Sequence, residues 1–182
     1  MTYDEIFSAL ITRQKKALEF HSQLSIIFRF IGLNGFSRLH ECQFYEESKM
    51  YNKIIRHFIK THNKLIRELP MESINEIPTD WYNASRDNVT PAIISQYTSK
   101  EFQAYVKWET ETLMELKKHA SDLLELGEVK DFKFVSHMIS DVSCELEKAK
   151  RLYYKLASTG FDVVYIQDMQ TELHDKYKEK MK

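Results

Sequence analysis

Phe28-Arg29-Phe30-Ile31-Gly32-Leu33-Asn34-Gly35-Phe36 is a break between two long apolar stripes. Before it, Phe7, Leu10, Ile11, Leu18, Leu24, Phe28 and Ile31 recur three and four residues apart, the period of one helix face. After it, Leu39, Phe44, Tyr51, Ile54, Ile55 and Phe58 continue the same period on a second segment. Gly32 and Asn34-Gly35 interrupt the pattern for so few residues that the two helices must lie side by side and antiparallel. The spacing predicts a helical hairpin over about 2–31 and 36–69.

Outward from the hairpin, Pro70 closes the second helix, and about 70–98 carries Pro78, Pro91 and many Asn, Asp, Ser and Thr with no sustained period. A loop of that length inside a bundle has a specific job, here to carry the chain from one end to the other. Phe102, Tyr105, Val106, Leu113, Leu116, Ala120 and Leu123 then mark a third helix over about 99–126, closed by Gly127. Val135, Met138, Val142, Ala149, Leu152 and Leu156 mark a fourth over about 129–157. Ser158-Thr159-Gly160 stops it, and a shorter helix follows over about 161–178. The fold expected is all-α: one domain, 1–182, with two hairpins joined by a long crossover and a short fifth helix at the end.

Composition agrees with that expectation. Only 4 Gly and 3 Pro in 182 residues leave little room for a turn-rich β fold. With 29% charged and 43% hydrophobic residues the balance is that of a soluble globular chain, and a net charge of -1 gives no basic surplus for nucleic acid. Cys42 and Cys144 stand far apart with no spacing motif, and residues 1–8 carry Asp4 and Glu5, as a first helical turn does and a secretory leader does not. No apolar run approaches the ~20 residues of a membrane span. A cytoplasmic, non-membrane protein is expected.

The chemistry lies in what interrupts the apolar stripes. Glu47 falls three after Phe44 and seven before Ile54; Glu109 three after Val106 and four before Leu113; Glu145 three after Val142 and four before Ala149. Gln14 holds the equivalent place between Leu10 and Leu18. A buried carboxylate needs a partner. Shared protons, an Arg or Lys, or a hard cation with oxygen ligands would each serve, the inward stripes offer few basic residues, and bundle cores are a place where metal sites are built. The bland alternative is that one or more of these Glu sits at the bundle edge in water.

With these residues the chain resembles the ferritin family, the bacterial non-haem ferritins in particular. The turn 28–36 is similar to that family's first inter-helix turn, and Glu46-Glu47 lies where its second helix carries acidic residues and a Glu-x-x-His element. Glu109 is similar to its third-helix Glu, Glu145 to the end of its fourth-helix Gln-x-x-Glu element, and 160–168 to its fifth helix. The resemblance implies a homo-oligomeric shell of about 24 copies that takes in Fe(II), oxidises it with oxygen and stores ferric mineral. The iron would be non-haem, at a mono- or di-iron ferroxidase centre, with Glu47 bridging two irons and Glu109 and Glu145 holding one each. The chain departs from that pattern: Gln14 stands for the first-helix Glu, Met50 for the His, and Val142 for the Gln. Met is a poor ligand for hard iron, so slow oxidation at an incomplete centre is expected. Glu46 and Asp141 match parts of a further iron position of some bacterial members, where Cys144 replaces a carboxylate. The alternative is a ferritin-like bundle that assembles without oxidising iron.

Two histidines add a second candidate. His21 is seven after Gln14, and His40 is seven before Glu47 on the antiparallel helix. Both should face inward, about 10 Å along the bundle from the carboxylate layer. They form either an alternative metal site or relay, or a pair bonded to each other or to a buried hydroxyl. His137 lies toward the opposite end, facing the shell interior or simply solvated. Trp81 and Trp108 are read as packing or interface residues, and Lys176 to Lys182 as a solvated end.

Overall fold

The computed structural model of the protein describes residues 1–178. Every regular element among them is a helix: α1 (Tyr3–Phe30), α2 (Asn34–His62), α3 (Pro91–Glu125), α4 (Val129–Ser158) and α5 (Val163–Lys178), with short 3-10 turns at Thr79–Asn83 and Arg86–Asn88 in the crossover. Residues 179–182, the end of the Lys-rich run, lie outside the described part. The architecture is a four-helix bundle with a long crossover and a short fifth helix.

Cross-bundle contacts fix the directions. Arg13 meets Thr112, Phe20 stacks on Trp108 and Phe28 packs at a tilt against Phe102, so α1 and α3 run antiparallel. Gln43 meets Glu145 and His57 meets Asp131, so α2 and α4 do too. α5 lies across the start of α2, where the Gly35 N–H donates to Gln170 Oε1 at 2.9 Å. A Cβ on Gly35 would stand 1.7 Å from the Gln170 carbonyl oxygen, so only glycine lets the two backbones approach this closely.

Helix boundaries differ from those expected at two places, both for reasons of capping. α2 stops at His62, not near 69, because Asn63 takes the left-handed conformation (φ 53, ψ 38) and its N–H closes on the Ile59 carbonyl at 2.9 Å. Leu69, the expected end of the helix, is 45% exposed. α3 starts at Pro91, eight residues before 99, with Thr90 as N-cap accepting from the Ile93 N–H at 3.3 Å and Pro91 at the first helical position. The proline taken for loop is a helix start. The crossover is therefore shorter, 63–90, and is pinned to the bundle: Gln23 accepts from the Glu76 N–H at 2.7 Å and donates to the Ile74 carbonyl, while Trp81 stacks on Phe30.

The apolar core is in two parts. One end holds Ile6, Phe7, Leu10, Ile54, Phe58, Leu116, Leu123, Val135 and Met138. The other holds Phe20, Leu24, Phe28, Phe36, Leu39, Phe102, Leu152 and Leu156, extended by Ile166 and Met169 of α5. Between them lies a polar layer, and that interruption positions the site.

Candidate metal centre

Each of the four bundle helices sends a polar side chain into the layer. Gln14 of α1, Glu47 of α2, Glu109 of α3 and Glu145 of α4 line one cavity of about 320 Å³, together with Gln43, Met50, Trp108 and Val142. Glu46, Asp141 and Cys144 sit exposed at its mouth, as does Lys53. Glu109 is 3% exposed and Gln14 is buried; Glu47 and Glu145 are partly buried. The four stripe interruptions of the sequence thus meet in one place.

Their partners are unequal. Gln14 Nε2 donates to a Glu47 carboxylate oxygen and to the Glu47 backbone carbonyl at 3.1 Å. Glu145 accepts from Gln43 Nε2, from Lys148 Nζ at 3.1 Å and from Tyr105 Oη at 3.3 Å, all on Oε2. Glu109 has only His21 Nε2 at 3.8 Å, beyond hydrogen-bond length. Burial, reinforced by Glu145 and Glu46 and opposed by the Gln14 bond, pushes the Glu47 carboxyl up to about 7. Burial, then Glu47 and Glu145, raises Glu109 well above the carboxylate range. Burial also lifts the Tyr105 phenol, helped by Glu109 and Glu145. The layer is short of positive charge, and two of its carboxyls respond by holding their protons. Among the described residues the three carboxylates do not converge within 4.8 Å as a set; Glu47 and Glu145 are each turned to their own donors.

The basic residues that the sequence reading discounted are present at the rim. Lys148 reaches Glu145, and although burial pulls its ammonium down, Glu145 and Tyr177 outweigh that and raise it. Arg13 lies over the Trp108 ring at 3.7 Å and donates to Thr112 Oγ1 at 2.7 Å and to the Trp108 carbonyl at 3.0 Å. Sequence reasoning missed Gln43, Tyr105, Lys148 and Arg13 as partners because it looked for basic residues only on the inward stripes, where few occur. Gln43 is four before Glu47, one turn away on the same face, and was legible there.

His21 and His40 are fully buried and hydrogen-bonded to each other, Nδ1 to Nδ1 at 3.1 Å. Among the described residues their Nε2 atoms have no hydrogen-bond partner. His40 stacks on Phe28 at 5.5 Å and meets Tyr105 edge-on at 5.0 Å. Burial holds His21 down at about 3 and lowers His40 well below its ordinary value, so both rings are neutral. His137 is exposed, over a shallow depression with Asp141 and Met50.

A second cluster was not foreseen. Asp131, in the first turn of α4 and 0% exposed, accepts from His57 Nε2 at 2.7 Å and from His62 Nε2 at 2.6 Å. Glu128 joins it: among the described residues, His62, Glu128 and Asp131 are the one trio of ligand-type side chains whose atoms lie within 4.8 Å of one another. The signal was there, since Asp131, Val135, Met138 and Val142 share one stripe.

Two antiparallel hairpins, a crossover along the bundle and a polar layer at mid-height define the ferritin fold. Solved ferritins superpose on nearly the whole chain. An open-pore ferritin from the archaeon Archaeoglobus fulgidus matches with a TM-score of 0.78 at 15% identity, covering 96% of this chain and 97% of that one. A ferritin of M. penetrans matches with a TM-score of 0.74 at 10% identity, over 95% and 94%. An iron-soaked variant of the ferritin PmFTN matches with a TM-score of 0.74 at 14% identity, over 92% and 96%. No family profile and no curated protein matches the sequence. At these identities the likeness is one of fold. Among the described residues no helix is long and apolar enough to cross a membrane.

Proposed function

We propose that the chain is an iron-storage subunit. It assembles in the cytoplasm into a homo-oligomeric shell of about 24 copies, takes up Fe(II), oxidises it slowly and retains ferric mineral, without nucleic-acid or membrane partners. The carrying observation is the mid-bundle cavity into which Glu47, Glu109 and Glu145 project from three helices of a ferritin fold. Fe(II) is the substrate there. It replaces the protons that burial keeps on Glu47 and Glu109, so its entry removes the charge deficit of the layer.

Glu47 and Glu109 act as the paired oxygen ligands, and Glu145 as the third. Gln14 holds the Glu47 carboxylate in place through Nε2, and Gln43 and Tyr105 do the same for Glu145. Glu46 and Asp141 at the mouth attract the incoming cation. The rate is low because Gln14, Met50 and Val142 supply neither a carboxylate nor an imidazole.

A second reading, assembly without oxidation, is favoured by one observation: the Oε2 of Glu145 is already engaged by Gln43, Lys148 and Tyr105. Aerobic addition of Fe(II) to purified protein separates the two. Storage predicts a rise in ferric absorbance and iron that co-migrates with a large particle on sizing. Iron left in the small-molecule fraction rejects storage, and a monomer on sizing rejects the shell. If iron is retained, Glu47→Ala, Glu109→Ala and Glu145→Ala should each slow its oxidation; unchanged rates in all three remove these residues from the site.

A further inference from the structure

A fully buried carboxylate at the first turn of a helix needs donors, and Asp131 has two: His57 and His62, one on each oxygen, from the last turns of α2. That accounts for Asp131. It leaves Glu128 unaccounted for. Its carboxylate lies within 4.8 Å of both the His62 ring nitrogen and Asp131, has no hydrogen bond or ion pair of its own, and takes no part in capping α4 although it occupies the N-cap position. His62 Nε2 has one proton to give, and Asp131 takes it. Two carboxylates and an imidazole therefore converge on a point with one hydrogen-bond contact among them, an arrangement that a cation at that point would complete.

We propose that His62, Asp131 and Glu128 form a binding site for a divalent first-row transition-metal ion, separate from the mid-bundle cavity. The donor set, one imidazole nitrogen and two carboxylate oxygens, suits zinc, cobalt or ferrous iron with water in the fourth position better than calcium or magnesium. His57 serves as the positioning residue. Its Nε2 fixes Asp131 Oδ1, leaving Oδ2 toward the ion, and its own ring is held by stacking on Phe134 at 4.1 Å. His62 is likewise held, stacked on Tyr3 at 4.2 Å. On binding, the His62 proton passes through solvent from Nε2 to Nδ1, which leaves a neutral imidazole with the Nε2 lone pair free for the metal. The ion then links the end of α2 to the start of α4, two elements that the chain otherwise joins only through the crossover and α3.

The test uses the full chain in a Glu47→Gln, Glu109→Gln, Glu145→Gln background, so that the mid-bundle layer takes no metal, with Co2+ as spectroscopic probe and Zn2+ as thermal probe. One Co2+ per chain should bind with the intense visible bands of low-coordinate cobalt. Zn2+ at a hundredfold excess over its dissociation constant should raise Tm by about 5–10 °C. His62→Gln and Glu128→Gln should each weaken Co2+ binding by at least about tenfold, with the exposed His137→Gln unchanged as control. Glu128 is partly exposed and carries no hydrogen bond, so Glu128→Gln leaves the fold intact and is the deciding variant. No cobalt spectrum with no Tm rise, or binding that survives Glu128→Gln at full strength, overturns the proposal.

Discussion

The two polar clusters of this bundle solve the burial of carboxylates in opposite ways. At the α2–α4 end, Asp131 is fully buried and both its oxygens are taken by imidazole nitrogens. At mid-height, Glu109 is as deeply buried but no donor comes within hydrogen-bond distance, and His21 stops at 3.8 Å. The first carboxylate has a donor on each oxygen. The second, with Glu47, holds its proton because burial raises its proton affinity. A carboxylate with donors from its own chain is held in place by those bonds; carboxyls short of positive charge are poised to exchange protons for a cation.

The largest expected effect breaks the first cluster. Asp131→Ala strips both histidines of their acceptor and should cost about 3 kcal/mol in urea unfolding. Glu109→Gln, at similar burial, should cost less than about 1 kcal/mol or stabilise, because it replaces an acid that is already neutral. Equal losses from the two substitutions would erase the distinction between the clusters.

That contrast was half legible in the sequence. Heptad arithmetic on antiparallel helices placed Gln14 with Glu47 and His21 level with His40, and the contacts are there. It works because helix period and hairpin geometry are local. The end of α2 was not legible by period alone: 63–69 continues the stripe, and Asn63 ends the helix by taking a left-handed conformation. With α2 extended to 69, His57 and His62 fell mid-helix, away from any link to Asp131, which lies 69 residues or more along the chain. Lys148 was overlooked because a long side chain on the rim can send its head inward to Glu145 while its neighbours face water.

The next effect sharpens the second cluster. Glu47 has a folded-state pKa of about 7 against 4.5, so the native chain holds a proton that the unfolded chain releases. Stability from this group is therefore full below about pH 4.5 and lost as pH rises to about 7. His21 runs the other way: with a folded value of about 3 against 6.5, its contribution is full above 6.5 and lost as pH falls toward 3. The difference between wild type and Glu47→Gln isolates the carboxyl. In metal-free protein the variant should gain on wild type as pH rises from 5 to 8, by up to roughly 3 kcal/mol, and lose that gain on return to pH 5. A pH-independent difference in thermal melts would mean that Glu47 is ionised throughout.

A smaller effect asks whether the layer is limited by its ligands. Met50 and Val142 line the cavity. Met50→His with Val142→Gln adds an imidazole and an amide to it, and should raise the initial rate of ferric formation about tenfold, equivalent to ~1.4 kcal/mol in the barrier. An unchanged rate would place the oxidation elsewhere.

The most direct measurement is anomalous diffraction at the iron edge on crystals soaked anaerobically with Fe(II). The account predicts a peak in the mid-bundle cavity within bonding distance of Glu47 and Glu109, with Glu145 turned to it, and no such peak in crystals of the Glu47→Gln, Glu109→Gln, Glu145→Gln variant. Iron found only at surface acids, with the cavity empty in the wild type, would contradict it.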